Sequence, residues 1–251
     1  MSAQILDFVH IMRMSIRQMT NRMDERLTKR ESIISFYDSI ADKYDHQLTE
    51  DDKKAREEIS TIFRENVPQG TVLDIGCGTG LDLPWLLSSG YDVIALEPSD
   101  MMRNIAMKKY SGERVHFVEK NLNFKLWSEQ QLPFDKKLDG LLANFAVLNC
   151  IKDVRKFFDK AALLCKPNAH AVITIINPVF ASIVRNYSPI VALRLVFSNS
   201  LTILNKNEGI YHETYLHTIT AIRRACQKDF DIKSITPISF SNFMAMTLSR
   251  K

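Results

Sequence analysis

The chain contains 251 residues, of which 45% are hydrophobic and 25% are charged. It can therefore bury a sizeable core, and this composition excludes the disordered, collagen-like and disulfide-stapled classes. Its 33 basic and 29 acidic residues leave a net charge of +4, too small an excess to indicate a nucleic-acid partner. The four cysteines have no CxxC spacing, which predicts reduced core thiols in a cytoplasmic protein, with neither a disulfide nor a metal site.

A long helix is predicted at the start of the chain, because apolar residues recur there at three- and four-residue steps. These residues are Ile5, Phe8, Val9, Met12, Ile16, Met19, Met23 and Leu27. Residues 1–30 hold six basic residues against three acidic ones, so +3 of the net charge lies here. Two interpretations stay open: a cap that packs on the rest of the domain or on a second subunit, and a basic amphipathic helix on an anionic membrane surface. Two further helices are predicted over 32–43 and 51–65.

From residue 71 onwards, short apolar strands alternate with amphipathic helices, a pattern typical of parallel βαβ units. Two β-rich runs at the end, 231–238 and 240–249, predict an antiparallel pair that closes one edge of the sheet. No stretch of about 18 apolar residues is free of charge, so no membrane span is predicted. The predicted strands are residues 71–75, 91–96, 114–118, 138–143 and 169–176, and the predicted helices between them are 81–89, 99–110 and 153–165.

Three of the eight glycines stand at alternate positions directly after the first predicted strand, at Gly76, Gly78 and Gly80. Glycine permits a positive φ and removes the Cβ atom, so the backbone can turn sharply and a ligand can lie against its amides. A dinucleotide fingerprint would need a glycine at Leu81, which argues against NAD, and no GxxxxGKS or GxxxxGKT string occurs, which excludes a P-loop. Glu97 ends the second strand, where a carboxylate can accept hydrogen bonds from both hydroxyls of a ribose.

These residues resemble the motifs of the class I S-adenosylmethionine-dependent methyltransferases, in the small-molecule, quinone-type branch that carries a helical N-terminal cap. Residues 73–80 (LDIGCGTG) match the first motif of this family closely, and residues 36–45 (FYDSIADKYD) look like its cap segment. Further similar landmarks occur at 97–99, 132–134 and 163–167.

The resemblance implies an α/β fold with a Rossmann-like, doubly wound seven-stranded sheet and an antiparallel last strand. It divides the chain into a helical N-terminal cap at 1–66 and a methyltransferase domain at 67–251. An apolar lid insertion is expected within this domain at about 178–208.

Carried over by position, the resemblance implies S-adenosylmethionine as the cofactor. Gly76, Gly78 and Gly80 would contact its methionine and ribose portions. Asp74 would orient its amino group, and Glu97 would hold its ribose hydroxyls. The other implied cofactor contacts are Cys77, Pro98, Asn144 and Asn121, the last of which stands where the family usually has an aspartate that faces the adenine amino group.

The acceptor is less closely specified, because methyl transfer from a sulfonium is an in-line displacement that mainly needs positioning and the exclusion of water. A base is needed for a hydroxyl acceptor and is dispensable for a neutral amine or a stabilised carbanion. His212 is the preferred base candidate, and Tyr37 and Tyr44 of the cap are further candidates to face the reacting methyl group. The predicted substrate contacts are Phe145, Asn149 and Tyr211.

The lid stretch is strongly apolar, and Arg185 and Arg194 are its only charged residues between 178 and 205. A lid of this kind suits a lipophilic or aromatic acceptor and is compatible with a membrane contact. The alternative is that its helices complete the core or form a homodimer contact.

The sequence therefore predicts a cytoplasmic or peripherally membrane-bound methyltransferase that uses S-adenosylmethionine on a small, apolar or aromatic acceptor. Two alternatives stay open. One is a transfer-RNA nucleoside methyltransferase, which the near-neutral body of the chain disfavours. The other is a cofactor-binding interaction module without catalytic activity.

Overall fold

The computed structural model describes residues 33–112, 114–118, 134, 137–207 and 210–251, and it excludes the side chains of residues 206, 207, 210 and 211. The helix predicted over 5–27, the adenine contact Asn121 and the side chain of Tyr211 lie outside the described part.

Two helices precede the sheet, α1 at Ile33–Tyr44 and α2 at Glu50–Asn66, and a single 3-10 turn, Asp45–Gln47, lies between them. A capping box starts α2, because the Thr49 hydroxyl accepts from the Asp52 amide and the Asp52 carboxylate accepts from the Thr49 amide. Such reciprocal capping satisfies amide donors that the first helical turn leaves free. The two helices predicted here from the sequence are confirmed within one residue at each end.

The main sheet has seven strands in the order β3-β2-β1-β4-β5-β9-β8. Neighbouring strands from β3 to β5 are parallel, and β9 is antiparallel to both β5 and β8. The predicted doubly wound α/β fold with an antiparallel last strand is therefore confirmed. Its strands are β1 Thr71–Ile75, β2 Asp92–Leu96, β3 Val115–Phe117, β4 Leu138–Ala143, β5 Cys165–Ile176, β8 Phe230–Pro237 and β9 Phe243–Arg250.

Helices cover both faces of this sheet, because its parallel strands are apolar on both sides. On β1, Leu73 and Ile75 join one buried cluster with Phe157 of α5, whereas Val72 joins the other with Phe63 of α2. The strand order reverses between β1 and β4, and ligands of open α/β sheets bind outside the carboxyl ends of the strands at such a point. The connecting helices are α3 Leu83–Ser88, α4 Asp100–Lys109, α5 Val154–Leu164 and α8 Ile219–Cys226.

The stretch predicted as the lid has a more varied structure than expected. It forms α6 at Phe180–Asn186, α7 at Pro189–Ser198 and then β6 at Ser200–Asn207. Strand β6 pairs with β7, Ile210–His217, as a separate antiparallel hairpin. The apolar stretch thus contains a strand as well as helices, and the inserted unit continues with β7 beyond the predicted boundary at 208. The division of the chain into a cap and a main domain stays a prediction.

Candidate cofactor and acceptor site

The turn after β1 is built on glycines with positive φ, +70° at Gly76 and +57° at Gly78. A Cβ atom on Gly76 would lie 2.6 Å from Cγ2 of Val147, so no side chain fits there. A Cβ atom on Gly78 would meet nothing within 4 Å, so this side of the turn is open. The amides of Gly76 and Cys77 donate to the Leu96 carbonyl at 2.7 and 3.1 Å. These two bonds fix the turn against the end of β2.

Glu97 lies beside this turn because Ile75 of β1 pairs with Leu96 of β2. Its Oε2 accepts from the Gly78 amide at 2.9 Å, and its Oε1 accepts from the Ser99 amide at 2.7 Å. Burial raises the pKa of Glu97, while these backbone amides act in the opposite direction. Each carboxylate oxygen has a second lone pair that can accept a ligand hydroxyl. Glu97 is therefore oriented in advance as a two-oxygen acceptor.

Two oppositely charged side chains near the end of β1 have buried atoms that lack a hydrogen-bond partner within the described part of the chain. These atoms are Oδ2 of Asp74 and Nε of Arg56. Burial, followed by the nearby Asp82 carboxylate, raises the pKa of Asp74 well above its ordinary value. Buried polar atoms without partners are uncommon in native proteins and point to a missing ligand or solvent molecule. Arg56 is close enough to Asp74 to lower its pKa in part, and a free acceptor and a free donor in one region suit a ligand that carries both an ammonium and a carboxylate group.

Arg56 reaches this place from α2 through a buried network. Its Nη1 donates to Oδ2 of Asp82 at 2.8 Å, and Nδ2 of Asn144 donates to the same oxygen at 3.0 Å. The Asn144 Oδ1 in turn accepts from the Phe145 amide at 2.8 Å. The network joins α2, the loop before α3 and the loop after β4 into one wall. Asn144 was predicted from the sequence as a cofactor contact, whereas Arg56 and Asp82 were not predicted.

The backbone after β4 is strained, because Phe145 and Ala146 have φ values of +49° and +65° although neither is a glycine. The left-handed region costs an ordinary residue about 1–2 kcal/mol. Such residues persist only where their surroundings fix them, and they cluster at functional sites. The Arg56 guanidinium lies 3.9 Å from the centroid of the Phe145 ring, a cation-π contact that holds the aromatic ring in place.

Two aspartates of the cap bind it to the turns of the main domain, and neither was predicted from the sequence as a site residue. Asp38 of α1 accepts from the Ser99 hydroxyl at 2.5 Å, directly after Glu97. Asp45 accepts from the Thr79 hydroxyl at 2.5 Å and pairs with Lys109 of α4. The cap is therefore tied to the turns that follow both β1 and β2.

A cleft of about 760 Å³ lies between the cap and these turns. It brings together most of the predicted cofactor residues and two candidate catalytic tyrosines. The predicted contacts Asp74 and Gly80 are not among the residues that line it, and Gly80 packs against the Tyr110 ring. The predicted site residues that line the cleft are Tyr37, Tyr44, Gly76, Cys77, Gly78, Glu97, Pro98, Asn144 and Phe145.

A second cavity of about 900 Å³, here called the acceptor chamber, adjoins the cleft. The two share Tyr37, Tyr44, Phe145 and Cys150 as common walls. Burial raises the pKa of both Tyr37 and Tyr44, and burial raises the pKa of the Cys150 thiol to about 12. The shared walls are therefore uncharged near pH 7. The chamber is also lined by Ile176, Asn186, Tyr187, His212, Thr214 and Phe243.

His212 of β7 is only 8% exposed, and its ring stacks on Phe36 of α1 with centroids 4.3 Å apart. Its buried Nδ1 has no hydrogen-bond partner among the residues that the structure describes. Burial lowers the pKa of His212, so the ring is neutral near pH 7. The other histidine of this strand differs, because both nitrogens of His217 are engaged, by Ser200 and by the Ile151 carbonyl.

Asn149, a predicted substrate contact, lines the chamber but is 1% exposed. Its Nδ2 donates to the Tyr215 carbonyl at 2.7 Å, and its Oδ1 accepts from the Ile176 amide at 2.9 Å. The Asn149 side chain thus ties the hairpin to the sheet. A contact of Asn149 with the substrate stays a prediction.

Comparison with known proteins agrees with this geometry. A family model described as a methyltransferase domain matches residues 44–228. A ubiquinone biosynthesis O-methyltransferase from Bradyrhizobium diazoefficiens is 31% identical over 106 residues, which cover 42% of this chain and 40% of that protein. The matched region thus spans about two fifths of the length of this curated relative.

Two solved structures share the fold. A structure described as a putative S-adenosylmethionine-dependent methyltransferase from Listeria monocytogenes has a TM-score of 0.64 and 16% identity, covering 79% of this chain and 99% of the other. A 1,6-didemethyltoxoflavin-N1-methyltransferase from Burkholderia thailandensis, solved with bound 1,6-didemethyltoxoflavin and S-adenosylhomocysteine, has a TM-score of 0.60 and 17% identity, covering 87% of each chain. At these identities, the likeness supports the architecture.

Proposed function

The chain belongs to the methyltransferase-domain family whose model it matches over residues 44–228, and we propose that it transfers a methyl group from S-adenosylmethionine to a small, lipophilic or aromatic acceptor. The predicted enzyme class and its cofactor are confirmed at the level of the family. The acceptor and the roles of individual residues are proposals that rest on the cleft and the chamber.

The residues present fit S-adenosylmethionine, whose sulfonium supplies an activated methyl group when it is bound. The unpartnered Oδ2 of Asp74 would accept from the amino group of its methionine portion, and the unpartnered Nε of Arg56 would donate to its carboxylate. Glu97 would accept from the two ribose hydroxyls. The open side of Gly78 leaves room for the sugar to lie against the backbone.

The observation that carries the proposed acceptor class is the chamber that shares its walls with the cleft. Tyr37, Phe145 and Cys150 line both spaces, so a group in the chamber would lie next to a cofactor held in the cleft. Aromatic and apolar side chains such as Tyr187 and Phe243 dominate the walls. Walls of this composition favour an apolar or aromatic acceptor.

We propose His212 as the base that takes a proton from an acceptor hydroxyl. Its Nδ1 is buried and free of partners within the described chain, and its lowered pKa keeps it neutral. The stack on Phe36 fixes the plane of the ring. A neutral imidazole held in this way can accept a proton near pH 7. The name of the curated relative, an O-methyltransferase, supports a hydroxyl acceptor.

The function is tested by incubating the protein with methyl-deuterated S-adenosylmethionine and a cell extract separated into lipid-soluble, water-soluble and RNA fractions. We expect S-adenosylhomocysteine together with a labelled product in the lipid-soluble fraction, detected by mass spectrometry. Label in RNA would instead support the transfer-RNA alternative. Cofactor binding without any product in the three fractions would support the non-catalytic module.

The role of His212 is tested by His212→Asn, with His116→Asn on the exposed strand β3 as the matched control. Loss of a general base lowers kcat by about 10²–10⁴-fold. The wild-type rate should rise with pH through a pKa below the ordinary value near 6.5, because only the neutral ring accepts a proton, and the variant should lose this limb. An unchanged kcat and pH profile in His212→Asn would exclude the assigned role.

A further inference from the structure

Helix α7 differs from an ordinary surface helix, because most of its large apolar side chains face away from the protein core. Its buried side consists of the small Ala192 and of Leu195, whereas its outward side carries large apolar residues. Ile190 is 71% exposed and Phe197 is 80% exposed. Leu193 lies between them at helical spacing and is also more than half exposed. Apolar side chains of this size seldom lie together on the solvent side of a helix.

The two helices of the unit have a one-sided charge. Residues 177–199, which include α6 and α7, contain Arg185 and Arg194 but no aspartate or glutamate, whereas residues 200–217 contain Lys206, Glu208 and Glu213. Both arginines are exposed, and within the described ranges neither forms an ion pair. Exposed apolar side chains flanked by unpaired cations are typical of a surface that lies on anionic lipid.

This apolar surface adjoins the acceptor chamber. Asn186 and Tyr187, at the end of α6, line the chamber, and α7 begins two residues later at Pro189. His212 and Thr214, from the hairpin of the same unit, also line the chamber. A lipophilic molecule that leaves a bilayer under α7 would therefore meet the chamber within a short distance.

We propose that the outward face of α7, formed by Ile190, Leu193, Val196 and Phe197, docks on an anionic lipid bilayer, from which the acceptor enters the chamber. The direction of acceptor access rests on the proposed function, whereas the docking itself does not. Among the described helices, none is long and apolar enough to cross a membrane. The helix would accordingly lie in the plane of the interface, with its apolar side chains among the acyl chains.

A second copy of the chain fits this face less well than lipid does. In a two-fold contact the same surface meets itself, so Arg194 of both copies would lie in one apolar interface with no acidic residue from α6 or α7 to neutralise them. Like charges buried together oppose association. Anionic lipid headgroups remove this difficulty, because they supply the opposite charge at the depth that the arginines reach.

The test is sedimentation of the full chain with phosphatidylcholine vesicles, with or without phosphatidylglycerol. We expect binding to the mixed vesicles that weakens with added salt. Ile190→Glu and Phe197→Glu should each lower the partition coefficient about tenfold or more, because each removes a large apolar side chain from the interface. Met107→Glu, on the exposed side of α4 in the other half of the sheet, is the matched control and should leave partition unchanged.

Three further measurements keep the outcomes distinct. Unchanged melting temperatures would show that the variants fold, and unchanged turnover of a detergent-dispersed acceptor would separate docking from the proposed chemistry. Equal vesicle binding by the wild type, Ile190→Glu and Phe197→Glu would overturn the proposal, since binding would then come from another part of the chain. Light scattering that shows a wild-type dimer, and monomers for the α7 variants, would assign the face to a second copy and would equally overturn it.

Discussion

The two halves of the site are built in opposite ways. In the cofactor half, charged and polar groups are fixed by short hydrogen bonds, as in the contacts of Glu97 with Gly78 and Ser99. In the acceptor half, aromatic side chains enclose a larger space, and His212 keeps an unpartnered nitrogen within the described chain. The contrast indicates that one half is organised for a single polar ligand, whereas the other is organised to exclude water around an apolar one.

This contrast leads to separable effects of substitution. Changes in the cofactor half should weaken cofactor binding and leave the acceptor KM unchanged, and changes in the acceptor half should do the reverse. A substitution that alters both constants equally would show that the two halves act as one unit.

The largest separation is expected for Glu97→Ala, because it removes the carboxylate that we propose accepts two charge-assisted hydrogen bonds from the ribose. Cofactor affinity measured by calorimetry should fall by about 1.5–3 kcal/mol, which is about 10- to 100-fold. Glu65→Ala, an exposed carboxylate at the end of α2, serves as the control. If Glu97→Ala keeps the full cofactor affinity, the proposed contact between Glu97 and the ribose is wrong.

The next effect is the stabilisation of the whole chain by its cofactor. S-adenosylhomocysteine at about 100 times its Kd should add about 2.7 kcal/mol to the free energy of unfolding. For a chain of this size the melting temperature should rise by about 5–10 °C. The same concentration of S-adenosylhomocysteine should raise the melting temperature of Glu97→Ala much less. Equal shifts of the melting temperature in both proteins would contradict the assignment of the cleft as the cofactor site.

A smaller loss of cofactor affinity is expected when the cap is unfastened. Asp45→Asn removes the ion pair with Lys109 and weakens the bond with Thr79, so cofactor affinity should fall about fivefold to tenfold. Asp42→Asn lies three residues earlier, on α1, with an exposed side chain and should not change the cofactor affinity. If the two variants bind the cofactor equally well, the cap does not contribute to retention of the ligand.

The smallest effect is the one that probes the opposite half. Tyr187→Ala removes an aromatic wall of the chamber and should raise the acceptor KM about threefold to tenfold, in line with the loss of part of one apolar side chain. The calorimetric Kd of the cofactor should be the same as in the wild type. An increase in the cofactor Kd would instead show that Tyr187 contributes to cofactor binding, which would contradict its assignment to the acceptor half.

The cofactor half was largely predictable from the sequence, because a tight turn with positive φ needs glycine and leaves a local signature at Gly76 and Gly78. The carboxylate at the end of the neighbouring strand followed from the parallel pairing. Asp38, Asp45 and Arg56 could not be found in this way. They act on residues 26 to 64 positions away in the chain, and an aspartate or arginine on a surface helix has no local pattern that distinguishes it from its neighbours.

The acceptor half was less predictable, because an apolar run does not state which secondary structure it forms. Residues 200–207 alternate only in part between apolar and polar and follow directly on an apolar helix, so their pattern does not clearly indicate a strand. The left-handed backbone at Phe145 and Ala146 could not be predicted, because neither residue is a glycine. It follows from tertiary contacts, among them the Arg56 guanidinium on the Phe145 ring.

The position of α1 couples the two cavities. The helix is bound through Asp38, and the turn that follows it through Asp45, to the turns after β2 and β1, and its own Ile33 and Tyr37 line both cavities. One helix thus forms part of the wall of both spaces, so any displacement of α1 would change the shape of the cleft and of the chamber together.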